Sequence, residues 1–338
     1  MNMKWLVNTE NNTYQINLST YSSLFIDYST NLDSIIDPIL QYFQSKSKLK
    51  NSIVIKDILQ DYDEINYRDY LAIKLSNQIM SEETTLGSKT LMKDQIKMQL
   101  INNIETDGYM LTINTLLQDL LGTGIDNLPI KTKPLTVDSI MKLIELDINL
   151  ENSSNESNKV LNQNKILLPI IKSYLINKYK SPLLLFFVFP EDLLSPREQL
   201  EMKELLMSIT EQINVFVITK SNSFLSDEFD GNNYYKNGRQ LITKELIHDL
   251  EWESPLPFTQ DELKLSFLFI MRKYIELIEL SPTVSNYKQS DVILFKSIDL
   301  YVFVFVMRRL KLNFSIELTS ENVDKPVFEY IMDVYEKM

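Results

Sequence analysis

Seven consecutive apolar residues, Leu183-Leu184-Leu185-Phe186-Phe187-Val188-Phe189, precede Pro190, a helix signal and a second apolar run from Ile213 to Ile218. Neither run alternates apolar with polar, which is the pattern of strands buried on both faces of a mostly parallel sheet. The stretch between them carries the marks of a helix start. Ser195 is placed as an N-cap, Pro196 takes the first helical position, and Glu198 completes a capping box. Met202, Leu205, Leu206 and Ile209 then recur at the spacing of one buried helical face. Strand, helix and strand in this length predict a βαβ unit with a right-handed crossover. The fold class follows as α/β, with a mostly parallel sheet at its core.

The remaining segments are read around that unit. Short strands are predicted at Trp5-Leu6-Val7, Tyr14 to Leu18 and Ser23 to Ile26, the first two forming a hairpin across Glu10-Asn11-Asn12. Ile35, Ile36, Ile39, Leu40 and Phe43 have helical spacing, and Pro38 within it predicts a start there with Asp37 as cap. Ser52 to Ile55 reads as a further strand. From Tyr67 to Leu146 helices are predicted at 67–81, 89–105, 109–121 and 136–147. In the first of these, Tyr70, Leu71, Leu75 and Ile79 share one side. The Asn- and Ser-rich stretch from Glu151 to Asn164 reads as a loop, and a helix from Lys165 to Lys178 leads into the βαβ unit. Beyond a brief strand at Arg239 to Thr243, residues from Thr259 onward read as helices, with Asp291 to Leu310 apolar nearly all round. The expected organisation is an α/β core of residues 1–66 and 165–258, an inserted helical head of 67–164, and a C-terminal helical extension of 259–338.

Composition removes several chemistries. There is no cysteine, which excludes thiolate catalysis and Cys-based zinc sites, and His248 is the single histidine, an ordinary surface or cap residue by this reading. Six glycines in 338 residues leave no phosphate-binding loop. Gly87-Ser88-Lys89-Thr90 imitates the tail of one without the upstream glycine or the strand. The longest apolar piece, Ile298 to Met307, is too short to span a bilayer, and no signal-peptide pattern is present, so a cytoplasmic protein without membrane partners is expected. Among acids, Asp61, Asp63, Glu191 and Asp192 would serve a metal-dependent nuclease, although no strand-borne lysine is evident beside Glu191-Asp192. Solvated turn acids are the plainer reading.

The bases allow two readings. Lys89, Lys93 and Lys97 recur every four residues on one predicted helical face, Lys46, Lys48 and Lys50 alternate, and Lys131 and Lys133 bracket a turn. With a formal charge of −12, such groups are solvated faces if the chain acts alone. In a closed ring, symmetry would repeat each patch about one axis and create a positive channel in an acidic protein. A protein-binding scaffold that touches no DNA is a third possibility, resting on the C-terminal helices.

The order of elements, with Leu-Leu-Phe-Phe-Val-Phe, Leu-Ser-Pro-Arg-Glu and Val-Phe-Val-Ile in the βαβ unit, resembles the ring-forming Csn family of type II-A CRISPR systems, specifically the second Csn protein, over roughly residues 1 to 250. The helices after 259 resemble those of a long form. The resemblance implies an α/β core similar to P-loop NTPases without a working nucleotide site, and no catalysis. It implies a homotetrameric ring that holds double-stranded DNA ends without sequence preference during spacer acquisition. It also implies cooperation with the CRISPR integrase proteins and the RNA-guided effector nuclease. By the same resemblance the lysines of the head line the DNA: Lys89, Lys93, Lys97, Lys131 and Lys133, with Lys46, Lys48 and Lys50. Structural calcium would fall on Asp119, Asp126 and Asp138, where the dense acidic run of short members is thinned.

Overall fold

A computed structural model describes residues 2–27, 30–43, 52–122, 133–146, 148, 156–236 and 239–337. The chain divides into two units, one made of residues 1–75 and 181–338, the other of residues 76–180.

The first unit opens with β1 (Met3–Asn8) and β2 (Thr13–Leu18), an antiparallel hairpin in which Met3 faces Leu18 and Asn8 faces Thr13. Strand β3 (Tyr21–Ile26) leaves that sheet and is buried along its whole length. Helix α1 (Asp33–Tyr42) follows, then β4 (Val54–Asp57) and β5 (Asp63–Glu64), which complete the order β2-β1-β4-β5. Helix α1 runs straight through Pro38 and does not begin there. Ile35, Ile36, Ile39 and Leu40 are all buried on both sides of the proline, and that packing outweighs the backbone hydrogen bond it removes.

Residues Leu71–Ser76 form strand β6, not the first part of a helix over 67–81. The side-chain spacing suited either structure. The decision is tertiary: Leu71 N–H bonds Pro182 O at 3.0 Å, and β6 lies next to the strand that starts there.

The second unit then contains α2 (Asn77–Glu83), α3 (Leu91–Asn102), α4 (Ile104–Gly122), α5 (Val137–Ile140) and α6 (Glu156–Lys178). Ser76 Oγ accepts from Ile79 N–H at 3.2 Å and caps α2. The helix expected over 136–147 ends after one turn. Helix α6 in turn begins inside the segment expected to be a loop. Two of its polar residues are interior: Gln163 and Asn164 are buried, Gln163 Nε2 donating to Met80 O at 2.8 Å and Asn164 Nδ2 to Asn77 Oδ1 at 3.1 Å.

Back in the first unit, β7 (Leu183–Val188), α7 (Pro196–Ser208) and β8 (Asn214–Thr219) realise the expected βαβ unit. The Glu198 carboxylate accepts from Ser195 N–H at 2.8 Å and Oγ–H at 2.5 Å. Strands β9 (Asn232–Lys236) and β10 (Arg239–Gln240) finish a six-stranded sheet of order β10-β9-β3-β8-β7-β6. Strand β3 is parallel to both β8 and β9, and β7 to β8, while β10 is antiparallel to β9. A buried asparagine seam joins the two sheets: Asn17 N–H donates to Asn233 Oδ1 at 2.7 Å and Asn17 Nδ2 to Asn232 O at 3.0 Å.

The region after 240 comprises α8 (Leu246–Trp252), α9 (Gln260–Tyr274), β11 (Thr283–Ser285), β12 (Val292–Ile293), α10 (Ser297–Leu310), β13 (Ser315–Glu317) and α11 (Lys325–Lys337). It is not purely helical, since β12-β11-β13 form a small parallel sheet. Nor is it an appendage. Phe25 and Tyr234 of the main sheet share one apolar cluster with Phe267 of α9, Phe303 of α10 and Val327 of α11. Helix α10 is buried from Leu300 to Met307 without a break, as its all-round apolar sequence requires.

Candidate nucleic-acid interface

Helix α3 sets the geometry. Thr90 is its N-cap in extended conformation, so Lys89 stands in an exposed turn outside the helix, off the face that Lys93 and Lys97 share. The Gly87-Ser88-Lys89-Thr90 sequence follows helix α2 and not a strand. The rest of α3 is braced within its unit. Met92 N–H donates to Glu83 Oε2 at 2.8 Å, and burial raises the Glu83 carboxyl while that bond pulls it back. Asp94 accepts from Tyr174 Oη at 3.2 Å and Lys178 Nζ at 3.3 Å, both on α6. The Lys178 ammonium is held well above its usual range, first by the Tyr174 hydroxyl and also by Asp94.

Lys97 reaches instead toward α5. A Thr136–Ser139 capping box starts that short helix, and Asn114 on α4 pins Leu135, accepting from its N–H at 2.7 Å and donating to its carbonyl at 3.1 Å. Asp138 is thereby placed with its Oδ1 2.5 Å from Lys97 Nζ. Its carboxyl is held below the usual range by the Lys97 hydrogen bond and charge, with Lys142 and Lys93 adding to the effect. Lys97 is thus ion-paired with an exposed carboxylate that Lys142 and Lys93 also hold down. Lys142 was missed by sequence reasoning, although it stands four residues from Asp138 and so on the same side of a helical turn. Lys133 is exposed, two residues before the pinned Leu135.

Lys46, Lys48, Lys50, Lys131 and Asp126 lie outside the described residues. Asp119 is exposed on α4, and Asp138 already has Lys97 as partner. Among the described residues, no three His, Cys, Asp or Glu side chains are arranged to hold a metal ion. His248 is exposed on α8.

The carboxyl edge of the parallel strands, where open α/β sheets place ligands, is occupied differently. Glu191 follows β7 and accepts from Lys220 N–H at 2.6 Å and Thr219 Oγ at 2.9 Å; burial raises its carboxyl while these bonds lower it. Contrary to expectation, a lysine is present there: Lys220, directly after β8, bears on Asp192 and lowers a carboxyl that burial raises. Phe189 and Leu193 have left-handed backbone, with φ of 48° and 64°, which turns the chain sharply around these acids. Between β3 and α1, residues 27–32 read Asp-Tyr-Ser-Thr-Asn-Leu without glycine. Asp27 there is buried, accepts from Thr30 N–H at 2.8 Å and lies 3.6 Å from Lys236 Nζ, which also reaches Glu279 at 3.0 Å.

No family model and no curated protein matches the chain in sequence. Among solved structures, Stu0660 of Streptococcus thermophilus is similar with a TM-score of 0.64 and 13% identity, covering 98% of this chain and 100% of that one. The likeness is one of fold, and it runs end to end. The SMC head domain from Thermotoga maritima overlaps more loosely, at a TM-score of 0.35 and 10% identity over 71% of this chain and 97% of that one. The ATP-binding cassette MJ1267 does so at 0.37 and 11%, over 75% and 96%. Among the described residues, no helix is long and apolar enough to cross a membrane.

Proposed function

We propose that this chain is a non-catalytic, sequence-independent binder of double-stranded DNA ends, acting as a homotetrameric ring during CRISPR spacer acquisition. The end-to-end likeness to Stu0660 supports the CRISPR-associated, Csn-type part of this reading. The DNA part is carried by one observation, the ion pair of Lys97 with exposed Asp138, on whose carboxyl Lys142 and Lys93 also bear. Ammonium groups of this kind neutralise phosphate and release counterions without reading bases. In this reading Asp138 anchors the lysines and is not a calcium ligand. The CRISPR integrase proteins and the RNA-guided effector nuclease are its proposed partners.

The test is binding to linear and closed-circular duplexes of one sequence across a salt series, with the mass of the assembly measured alongside. Salt-sensitive binding of the linear form alone, by a tetramer, supports a ring loaded over DNA ends. Equal binding of both forms removes threading from the proposal. Absence of binding to either removes DNA, and DNA cutting that depends on added metal and on Glu191 or Asp192 would replace it with a nuclease.

A further inference from the structure

Helix α4 turns one side inward. Thr106 is buried, Met110, Asn114 and Leu117 are half-buried, and the four recur at helical spacing. Elsewhere the helix carries apolar side chains in water. Tyr109 is 63% exposed and Leu116 62%, with Ile113 37% exposed between them. At 100° per residue these three fall within about 60° of arc, beside the inner face and distinct from it. Ile104 and Leu111 are exposed on a different side and are not part of this ridge.

The charges on α4 have one sign. Ile104–Gly122 contains Glu105, Asp107 and Asp119 and no lysine, arginine or histidine. Glu105 and Asp119 are exposed and stand along the border of the ridge that lies away from the inner face. The Glu105 carboxylate accepts from Tyr109 Oη–H at 3.2 Å, and neither acid makes an ion pair among the described residues. The helix dipole accounts for Glu105 and Asp107 in the first turn. It opposes Asp119, which stands in the last turn where a base would be favoured. Neither the dipole nor packing within the chain explains that acid and the apolar ridge beside it.

We infer that this face of α4 receives a basic amphipathic helix of another protein. The apolar stripe of that helix lies on Tyr109, Ile113 and Leu116, and its lysines or arginines meet Glu105 and Asp119. A ridge at i, i+4 and i+7 matches the like ridge of a second helix and not the alternating faces of a strand. The charges choose among occupants. Against α4 of a second copy, no direction or register gives a favourable charge pair, because the helix holds no base. Nucleic acid would likewise meet only acids there. A basic partner satisfies both carboxylates and supplies the positive charge that the end of the helix lacks. The ridge is smaller than the roughly 1,200–2,000 Å² of a standard interface, so micromolar, salt-sensitive association is expected from it. This inference rests neither on DNA binding nor on the ring, and survives or fails separately.

The probe is a labelled peptide of leucine and lysine, about 18 residues long, with leucine at the spacing of one helical face. One control replaces its lysines by glutamate, the other its leucines by serine. Fluorescence anisotropy with the full-length protein should show the leucine–lysine peptide bound at least about tenfold more tightly than either control. Tyr109→Gln/Leu116→Gln keeps a good helix former at both positions and should weaken that binding by about tenfold. Glu105→Lys/Asp119→Lys should weaken it by about fivefold and tighten binding of the glutamate control. All four positions are exposed, so urea midpoints and sedimenting mass should remain those of wild type. Wild-type affinity in either double variant overturns the inference, since the net acidity of the protein would then account for binding. A lower urea midpoint in Tyr109→Gln/Leu116→Gln would place the cover of this face within the chain, and a smaller sedimenting mass would place it on a second copy. Either result overturns the inference as well.

Discussion

Asp138→Asn distinguishes a lysine cluster suited to anions from an ordinary solvated helix face. Asparagine keeps the size of the side chain and its exposed place on α5, and removes only the charge that Lys97 meets at 2.5 Å. Lys97 is then released to join Lys93 and Lys142 on phosphate. Each phosphate neutralised adds about 0.9 to the fall of log K with log salt on B-DNA. The variant should therefore steepen that slope by about 0.9 per contacting protomer. Between about 50 and 200 mM salt, one such lysine accounts for about half a log unit of affinity. Lys93→Ala and Lys142→Ala should each flatten the slope by about the same increment. Lys97→Ala alone should flatten it little, because its charge is already met, but should abolish the gain made by Asp138→Asn. Fluorescence anisotropy with two unrelated linear duplexes at several salt concentrations reads all of this. An Asp138→Asn protein that binds no more tightly at low salt, or a Lys93→Ala/Lys142→Ala protein with the wild-type slope, refutes the reasoning.

Three further outcomes concern stability. Lys236→Met removes an ammonium 3.6 Å from the buried Asp27 carboxylate and 3.0 Å from Glu279, and should cost roughly 3–5 kcal/mol in urea unfolding, the scale for breaking one side of a buried pair; a loss near zero would mean that the charges are met without it. Gly231→Ala would put a methyl group against Ser226 Oγ and 2.8 Å from the Tyr21 carbonyl oxygen, and should cost about 1–3 kcal/mol, seen as a lower thermal midpoint. Glu191 carries a pH signature. Burial raises its folded-state pKa, so the folded protein holds that proton more tightly than the unfolded chain does. Its contribution is fully present below the ordinary glutamate value and is lost as pH rises through the raised one. Glu191→Gln should flatten urea midpoints across that window, and a profile parallel to wild type would contradict the assignment.

The parts of this fold that were legible in the sequence are those whose environment is uniform. Strand β7 is buried at every residue and α10 at eight apolar residues in succession, so burial wrote itself into unbroken apolar runs. Strand β6 was misread because Leu71 and Leu75 fit a helical period equally well, and its partner, adjoining Pro182, lies over a hundred residues away in sequence. The first turns of α6 were misread because Gln163 and Asn164 resemble solvated loop residues while they satisfy buried groups near α2. At the candidate interface, Lys93 and Lys97 were visible as a repeat. Lys142 was not, because what unites the three is a carboxylate on another element. Asp138, which the resemblance offers to calcium, is ion-paired with Lys97. Spacing along one helix is a local property; the sign of a charge's surroundings is not.

The position of β3 has a consequence for synthesis. It is the inner strand on which β8 and β9 assemble, Ser23 pairing with Val217 on one side and Asn232 on the other. At about 5–20 residues per second, the ribosome delivers those partners about 10–40 s after β3 has emerged. The contiguous residues 76–180 are complete well before then and can fold while the strand waits. Throughout that interval an apolar strand has both hydrogen-bonding edges open, which makes the nascent chain a ready client for a holding chaperone. Slow translation before residue 214 should therefore lower the yield of folded protein more than equal slowing after residue 240.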